Sequence, residues 1–292
     1  MAELPAGTRP GRVRLQVADL DRSLDWYQRV LGFQVTARED DAARLAPCDD
    51  AADPPADAGN WLVELREREN ARPAPPGGRP GLYHYAILLP DRPALGRFVR
   101  HLSAAGIRAG ASDHRVSEAL YLQDPDGLGI EVYADRPRST WAIRDGQIVM
   151  STDPLDVNDL ARSAGEAAWD GMPAGTTIGH VHLHVGDLGR AEAFYRNGLG
   201  LERTVWSYPG ALFLAAGGYH HHLGLNTWAR STSPPGRDDA RLLEWELVLP
   251  SGGDVDAAVG RLEAAGEAVM ERGPGTGVAR DPWGTTLRLR AR

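Results

Sequence analysis

Residues 13–32 read VRLQVADLDRSLDWYQRVLG, and residues 181–200 read VHLHVGDLGRAEAFYRNGLG. Val13, Leu15, Val17, Asp19, Leu20, Arg22, Tyr27, Leu31 and Gly32 recur 168 positions on as Val181, Leu183, Val185, Asp187, Leu188, Arg190, Tyr195, Leu199 and Gly200. A repeat of this length marks a structural unit used more than once, so it governs how any single motif is read. In each copy alternating apolar residues form a half-buried strand, which Asp-Leu breaks. In the first copy Leu24, Tyr27 and Leu31 then fall on one helical face before Gly32 ends the turn.

A second, weaker correspondence links Leu89-Pro90 and Ala104-Ala105-Gly106 to Leu249-Pro250 and Ala264-Ala265-Gly266, 160 positions later. Asp124-Pro125-x-Gly127 likewise returns as Asp281-Pro282-x-Gly284. The chain therefore divides into four modules, near 10–70, 82–135, 176–228 and 241–291. Modules one and two fall in a first domain, 1–136, and modules three and four in a second, 176–292. The less periodic stretch 137–175 connects them and carries a helical segment around Leu155 to Ala168. Between modules one and two, the Pro/Gly-rich run from Arg72 to Gly81 reads as a linker.

A chain of 292 residues can bury a substantial core and suggests about two domains. No apolar run approaches the roughly 18 residues of a membrane span, and the polar, Pro-containing start lacks a signal-peptide core, so a cytoplasmic protein with no membrane partner is expected. A net charge of −8, with no Lys/Arg cluster among aromatics, argues against nucleic acid and favours a small-molecule partner. Cys48 is the single cysteine, which excludes an internal disulfide and leaves histidines and carboxylates to hold any metal.

Those histidines are unevenly placed. Eight of the nine, His84, His114, His180, His182, His184, His220, His221 and His222, lie in a few short motifs, and only His101 stands apart. The motifs are Tyr83-His84-Tyr85-Ala86-Ile87-Leu88-Leu89-Pro90; Ser112-Asp113-His114 with Leu120-Tyr121; Gly179-His180; and Gly218-Tyr219-His220-His221-His222. Glu131 sits in the apolar run Ile130-Glu131-Val132-Tyr133, on a strand expected to be half buried. An unpaired charge is costly there, so a metal or cationic partner is expected. Period-two alternation puts His180, His182 and His184 on one strand face, of which at most one need be a ligand.

Together these motifs resemble the vicinal oxygen chelate superfamily, and within it the two-domain catechol 2,3-dioxygenases, over nearly the whole chain. The resemblance implies an α+β fold in which four βαβββ modules pair into two curved mixed sheets. It implies a non-haem Fe(II), with Mn(II) as the alternative ion, held by His84, His180 and Glu131. It further implies a catechol-type substrate and O2, opening of the ring beside the two hydroxyls, and a semialdehyde product. An acid–base histidine is expected in the His220–His222 run, with His222 preferred over His221 on strand alignment. His114 and Tyr121 resemble residues that hydrogen-bond the substrate oxygens or that histidine. Trp206, Tyr208 and Trp228 are candidates for the pocket wall. The Asp124-Pro-Asp-Gly turn is assigned no chemistry.

Module one has Arg12 where module three has His180, and module four has Glu244 and Arg288 where module two has His84 and Glu131. Neither end can hold iron, so modules two and three should pair around the metal. Modules one and four should pair around an ion cluster with Glu244 between Arg12 and Arg288. The pairing can form within one chain or between two, so a homo-oligomer is compatible with it. A glyoxalase-like isomerase or thiol transferase competes weakly, because its sites typically add a second glutamate where this chain has histidines. A metal-free binding protein on the same fold has no need of three matched ligands.

Overall fold

The computed structural model describes residues 3–48, 61–230 and 232–292. Module one comprises β1 (Arg9–Val17), α1 (Leu20–Arg29), β2 (Gln34–Arg38), β3 (Ala42–Ala46) and β4 (Val63–Glu67). Module two comprises β5 (Gly81–Leu88), α2 (Arg92–Ala104), β6 (Gly110–Asp113), β7 (Ser117–Gln123) and β8 (Gly129–Asp135). The connector adds a small hairpin, β9 (Ile143–Arg144) and β10 (Gln147–Ile148), and α3 (Val157–Ser163), which is shorter than the helical segment expected there. Module three follows with β11 (Thr177–His184), α4 (Leu188–Glu192), β12 (Glu202–Val205), β13 (Ala211–Ala215) and β14 (Leu223–Asn226). Module four ends the chain with β15 (Arg241–Leu249), α5 (Gly252–Ala264), β16 (Ala268–Gly273), β17 (Thr276–Arg280) and β18 (Thr286–Ala291).

Local sequence explains the repeated strand-to-helix step. Asp19, Asp91, Asp187 and Ser251 each stand just before a helix and accept a hydrogen bond from the backbone N–H three residues on. That satisfies one of the helix's unpaired donors, so the residue that ends the strand also starts the helix. α4 departs from its counterpart α1: after five residues it widens into a π-helical turn, Ala193–Gly198, that buries Phe194 and Tyr195.

Two eight-stranded mixed sheets result. One runs β16-β17-β18-β15-β1-β4-β3-β2 and joins modules four and one; the other runs β12-β13-β14-β11-β5-β8-β7-β6 and joins modules three and two. The joints are antiparallel pairs, β1 with β15 and β11 with β5, both within one chain. Each sheet thus takes one module from either side of the connector. The sheets meet along β1 and β11, and their inner apolar residues form one core with those of α1, α2 and α5, among them Tyr27, Phe98, Tyr195, Trp245 and Leu262.

The two Asp-Pro turns help lock this assembly. Buried Asp124 accepts the N–H groups of Asp126 and Leu128 and lies 3.3 Å from the Tyr27 hydroxyl; Asp281 accepts N–H groups of Trp283 and Thr285 and the Tyr195 hydroxyl. Each therefore ties a turn in one sheet to the helix of a module in the other. The Pro/Gly run after Arg72 is tethered as well, since Asp239 receives Arg72 at 2.8 Å and Arg79 at 2.7 Å. His101 caps neighbouring structure, its Nε2 lying 3.2 Å from the carbonyls of Arg29 and Val30. Among the described residues, no helix is long and apolar enough to cross a membrane.

Candidate metal centre and cavity

β5, β8 and β11 are adjacent strands, and each brings one polar side chain to the same buried point. β5 pairs with β8 in parallel, setting Ala86 beside Glu131, and with β11 in antiparallel, setting Ala86 beside His180. His84 Nε2 lies 3.0 Å and His180 Nε2 3.2 Å from Glu131 Oε2. One donor atom from each of the three residues falls within 4.8 Å of the others, and all three side chains are buried.

Burial pushes His180 down to about 4, so its imidazole is neutral and has a lone pair to offer. Burial alone would raise the Glu131 carboxyl, but the imidazoles of His180 and His84 outweigh it and hold the group well below the usual carboxylate range. His84 Nε2 is off the line a hydrogen bond needs and has no such partner among the described residues. A buried, unpaired nitrogen facing a carboxylate is costly unless something completes the set.

The neighbouring strand histidines are already engaged. Asn226 donates through Nδ2 to His182 Nε2 at 3.0 Å and accepts at Oδ1 from His184 Nδ1 at 2.6 Å. Of the three histidines on β11, only His180 faces Glu131 at contact distance. The glycine before it is required by space, because a Cβ at Gly179 would occupy the position of the Tyr133 hydroxyl.

A cavity of about 280 Å³ opens beside this set: His84 and Glu131 line it, His180 lies behind them, and His114, Tyr121, His182 and His221 complete its polar wall. His114 carries a hydrogen on Nδ1, because that atom lies 2.6 Å from the Ser151 carbonyl, which can only accept; its Nε2 lies 2.6 Å from the Tyr121 hydroxyl. Burial and the nearby Glu131 carboxylate raise the Tyr121 hydroxyl well above 10. Asp113 does not face the cavity; it pairs with Arg136 at 2.7 Å and accepts from the Arg115 N–H, holding the turn that presents His114.

Within the histidine run, His221 lines the cavity and His222 does not. The ring of His221 stands 4.1 Å from that of His180, whereas His222 accepts the Ala216 N–H at Nδ1 and stacks on Tyr219. The preference for His222 assumed a strand, but β14 begins only at Leu223. In the bend before it, alternation does not apply. Burial lowers both groups, His221 well below its ordinary value and His222 to about 3.

Tyr208 and Trp228 line the cavity as expected. Trp206 does not: it is exposed, and its backbone N–H donates to Gln147 Oε1. Sequence reasoning missed Tyr83 and Phe213, and it missed that the connector supplies Met150, Ser151 and Thr152 to the wall. The connector is held there by paired backbone hydrogen bonds between Asp113 and Asp153, an arrangement without a local sequence signal.

The other sheet carries the expected ion cluster with one change of member. Glu244 receives Arg288 at 2.8 and 2.9 Å, and its second partner is Arg14. Arg12 instead lies over the Trp61 ring, 4.2 Å from its centroid. The strand register explains the substitution, since Arg14 is the residue directly opposite Glu244, as His182 is opposite His84.

A family model described as the Glyoxalase/Bleomycin resistance protein/Dioxygenase superfamily matches residues 9–132 and 177–289. By sequence the chain is similar to the catechol-2,3-dioxygenase of Bacillus subtilis (strain 168), with 44% identity over 275 residues, 93% of each chain. By structure it is similar to a putative dioxygenase from Bacillus subtilis subsp. subtilis str. 168, at a TM-score of 0.63 and 15% identity, covering 99% of this chain and 86% of that one. It is also similar to glyoxalase I from Zea mays, at a TM-score of 0.55 and 19% identity, covering 98% and 92%. These two structures bear on the fold alone.

Proposed function

The chain belongs to the Glyoxalase/Bleomycin resistance protein/Dioxygenase superfamily, and on that premise we propose that it is an extradiol dioxygenase opening catechol-type diols with O2. The observation that carries this reading is the buried His84–Glu131–His180 set, two of whose members line a cavity, in a chain so similar to a catechol-2,3-dioxygenase. Two imidazoles and one carboxylate fit a divalent ion. The unpartnered His84 Nε2 and the low-lying His180 supply lone pairs, Glu131 supplies negative charge, and a face of three ligands suits non-haem iron. Fe(II) held there would provide open coordination positions for both catechol oxygens and O2, and would relay electrons from the diol, which is oxidised, to O2, which is reduced.

The protein's own groups then do three things. The strands would hold the three ligands together with His84 and Glu131 at the cavity wall, where Tyr83, Phe213 and Trp228 offer apolar faces to one aromatic ring of a diol. The neutral His221 beside that ring position is placed to take a catechol proton and return it as the ring opens. Tyr121, linked to His114, offers a hydrogen-bonding hydroxyl next to Glu131 for a substrate oxygen. Reaction breaks the ring carbon–carbon bond beside the two hydroxyl-bearing carbons and adds both atoms of O2, giving a semialdehyde acid.

The test is turnover of catechol by protein loaded anaerobically with Fe(II). The expected result is one O2 consumed per catechol and a yellow product carrying both oxygen atoms. A product cleaved between the hydroxyl carbons, or no O2 uptake with full iron loading, would overturn the reading.

A further inference from the structure

A polar chain leads away from the cavity behind His221, from the buried His220 to the partly exposed Asp135. The Asp135 carboxylate, which can only accept, lies 3.0 and 3.2 Å from the Tyr219 hydroxyl and 2.9 Å from His220 Nε2. His220 therefore carries hydrogen on Nε2, and in the neutral ring its Nδ1 is a lone pair. That Nδ1 lies 2.7 Å from His221 Nδ1. Of these two nitrogens one must donate, and a neutral His220 leaves that role to His221. Its Nε2 is then bare.

The geometry around His220 leaves it little freedom. The ring is fully buried, with Trp141 from the connector at 5.2 Å and Tyr219 at 4.1 Å. Thr204 holds its carbonyl through a 2.6 Å hydrogen bond. Tyr133 lies 2.8 Å from the Tyr219 hydroxyl, so the latter can accept from it while donating to Asp135. Neither Asp135 nor His220 lines the cavity.

We propose that Asp135 and His220 are positioning residues that fix the tautomer of His221, so that its Nε2 presents a lone pair to the cavity. An unconstrained neutral histidine favours hydrogen on Nε2, so the chain imposes the less common form; which nitrogen is bare is set by the bond the other makes. The inference rests on the reading of His221 as the acid–base group, for which a base must arrive with its lone pair facing the substrate.

The test uses full-length protein labelled with ¹⁵N-histidine, before iron loading, with His221 identified by the signals missing from His221→Phe. The expected result is hydrogen on Nδ1 and a bare Nε2 in the wild type, shifting towards hydrogen on Nε2 in His220→Phe and Asp135→Leu. After iron loading, His220→Phe should lose about tenfold or more in kcat for catechol with KM little changed. A wild-type His221 with hydrogen on Nε2 would overturn the proposal, and this result needs no variant to fold. So would a His220→Phe variant with unaltered tautomer and kcat. Failure of the wild type to turn over catechol would remove the functional reading, while the spectra still decide the tautomer.

Discussion

The sheet of modules two and three and the sheet of modules four and one have the same strand order and differ in what stands on three matching strands. In the first, His84, Glu131 and His180 converge on one buried point, with a nitrogen left unsatisfied. In the second, Glu244 is enclosed by Arg14 and Arg288, so each charge has its partner in place. A site with room for an added cation and a site complete without one have been built on one scaffold. The difference lies in side-chain chemistry, since the backbone pairing of β5 with β11 and of β15 with β1 is alike.

The strongest break of this contrast is removal of a converging ligand. Glu131→Ala, His84→Ala and His180→Ala should each retain the fold, lose bound metal and lower catechol turnover by more than about 100-fold, beyond what loss of an outer partner costs. Metal analysis after desalting, beside kcat/KM, checks this. Next, His221→Phe should keep its metal and lose roughly 10² in kcat, as expected for a missing proton-transfer group. His222→Phe should lose far less, because that side chain faces Ala216 and Tyr219. Equal losses in the two variants would show that the bend before β14 has been misread.

In the other sheet, Glu244→Ala leaves two guanidinium groups without the carboxylate between them. It should lower unfolding free energy by about 1–3 kcal/mol, less than for a wholly buried pair because both arginines are partly exposed. Urea unfolding measures this, and iron content should be unchanged.

The last effect concerns pH. His222 is held neutral down to about 3, whereas in the unfolded chain it takes a proton near 6.5. Between those values the unfolded state binds the extra proton, so stability falls as pH falls through that window, by up to about 1.4 kcal/mol per unit for this group. His222→Phe should flatten the urea midpoint's pH dependence between 6 and 4. An unchanged slope would mean that other groups set it.

The sequence made the scaffold legible because its repeats preserve the residues that do physical work: the capping Asp19 and Asp187, the buried Tyr27 and Tyr195, and the turn Asp124 and Asp281. The resemblance to the catechol 2,3-dioxygenases pointed to His84, Glu131 and His180, and the unlike residues at the matched places of modules one and four showed which modules should pair around the metal. What the sequence hid depended on register and on irregular chain. Arg14 replaced Arg12 because the partner across a strand pair is set by the observed β1–β15 register. His221 replaced His222 at the cavity because alternation fails outside a strand. Met150, Ser151 and Thr152 were invisible because an aperiodic connector carries no pattern to say which surface it covers.

Anaerobic iron titration of wild type, Glu131→Ala and Glu244→Ala tests the contrast between the two sheets most directly. The account predicts one equivalent of tightly bound Fe(II) per chain in the wild type and in Glu244→Ala, and none in Glu131→Ala. Retention of that equivalent by Glu131→Ala, or its loss from a folded Glu244→Ala, would contradict it.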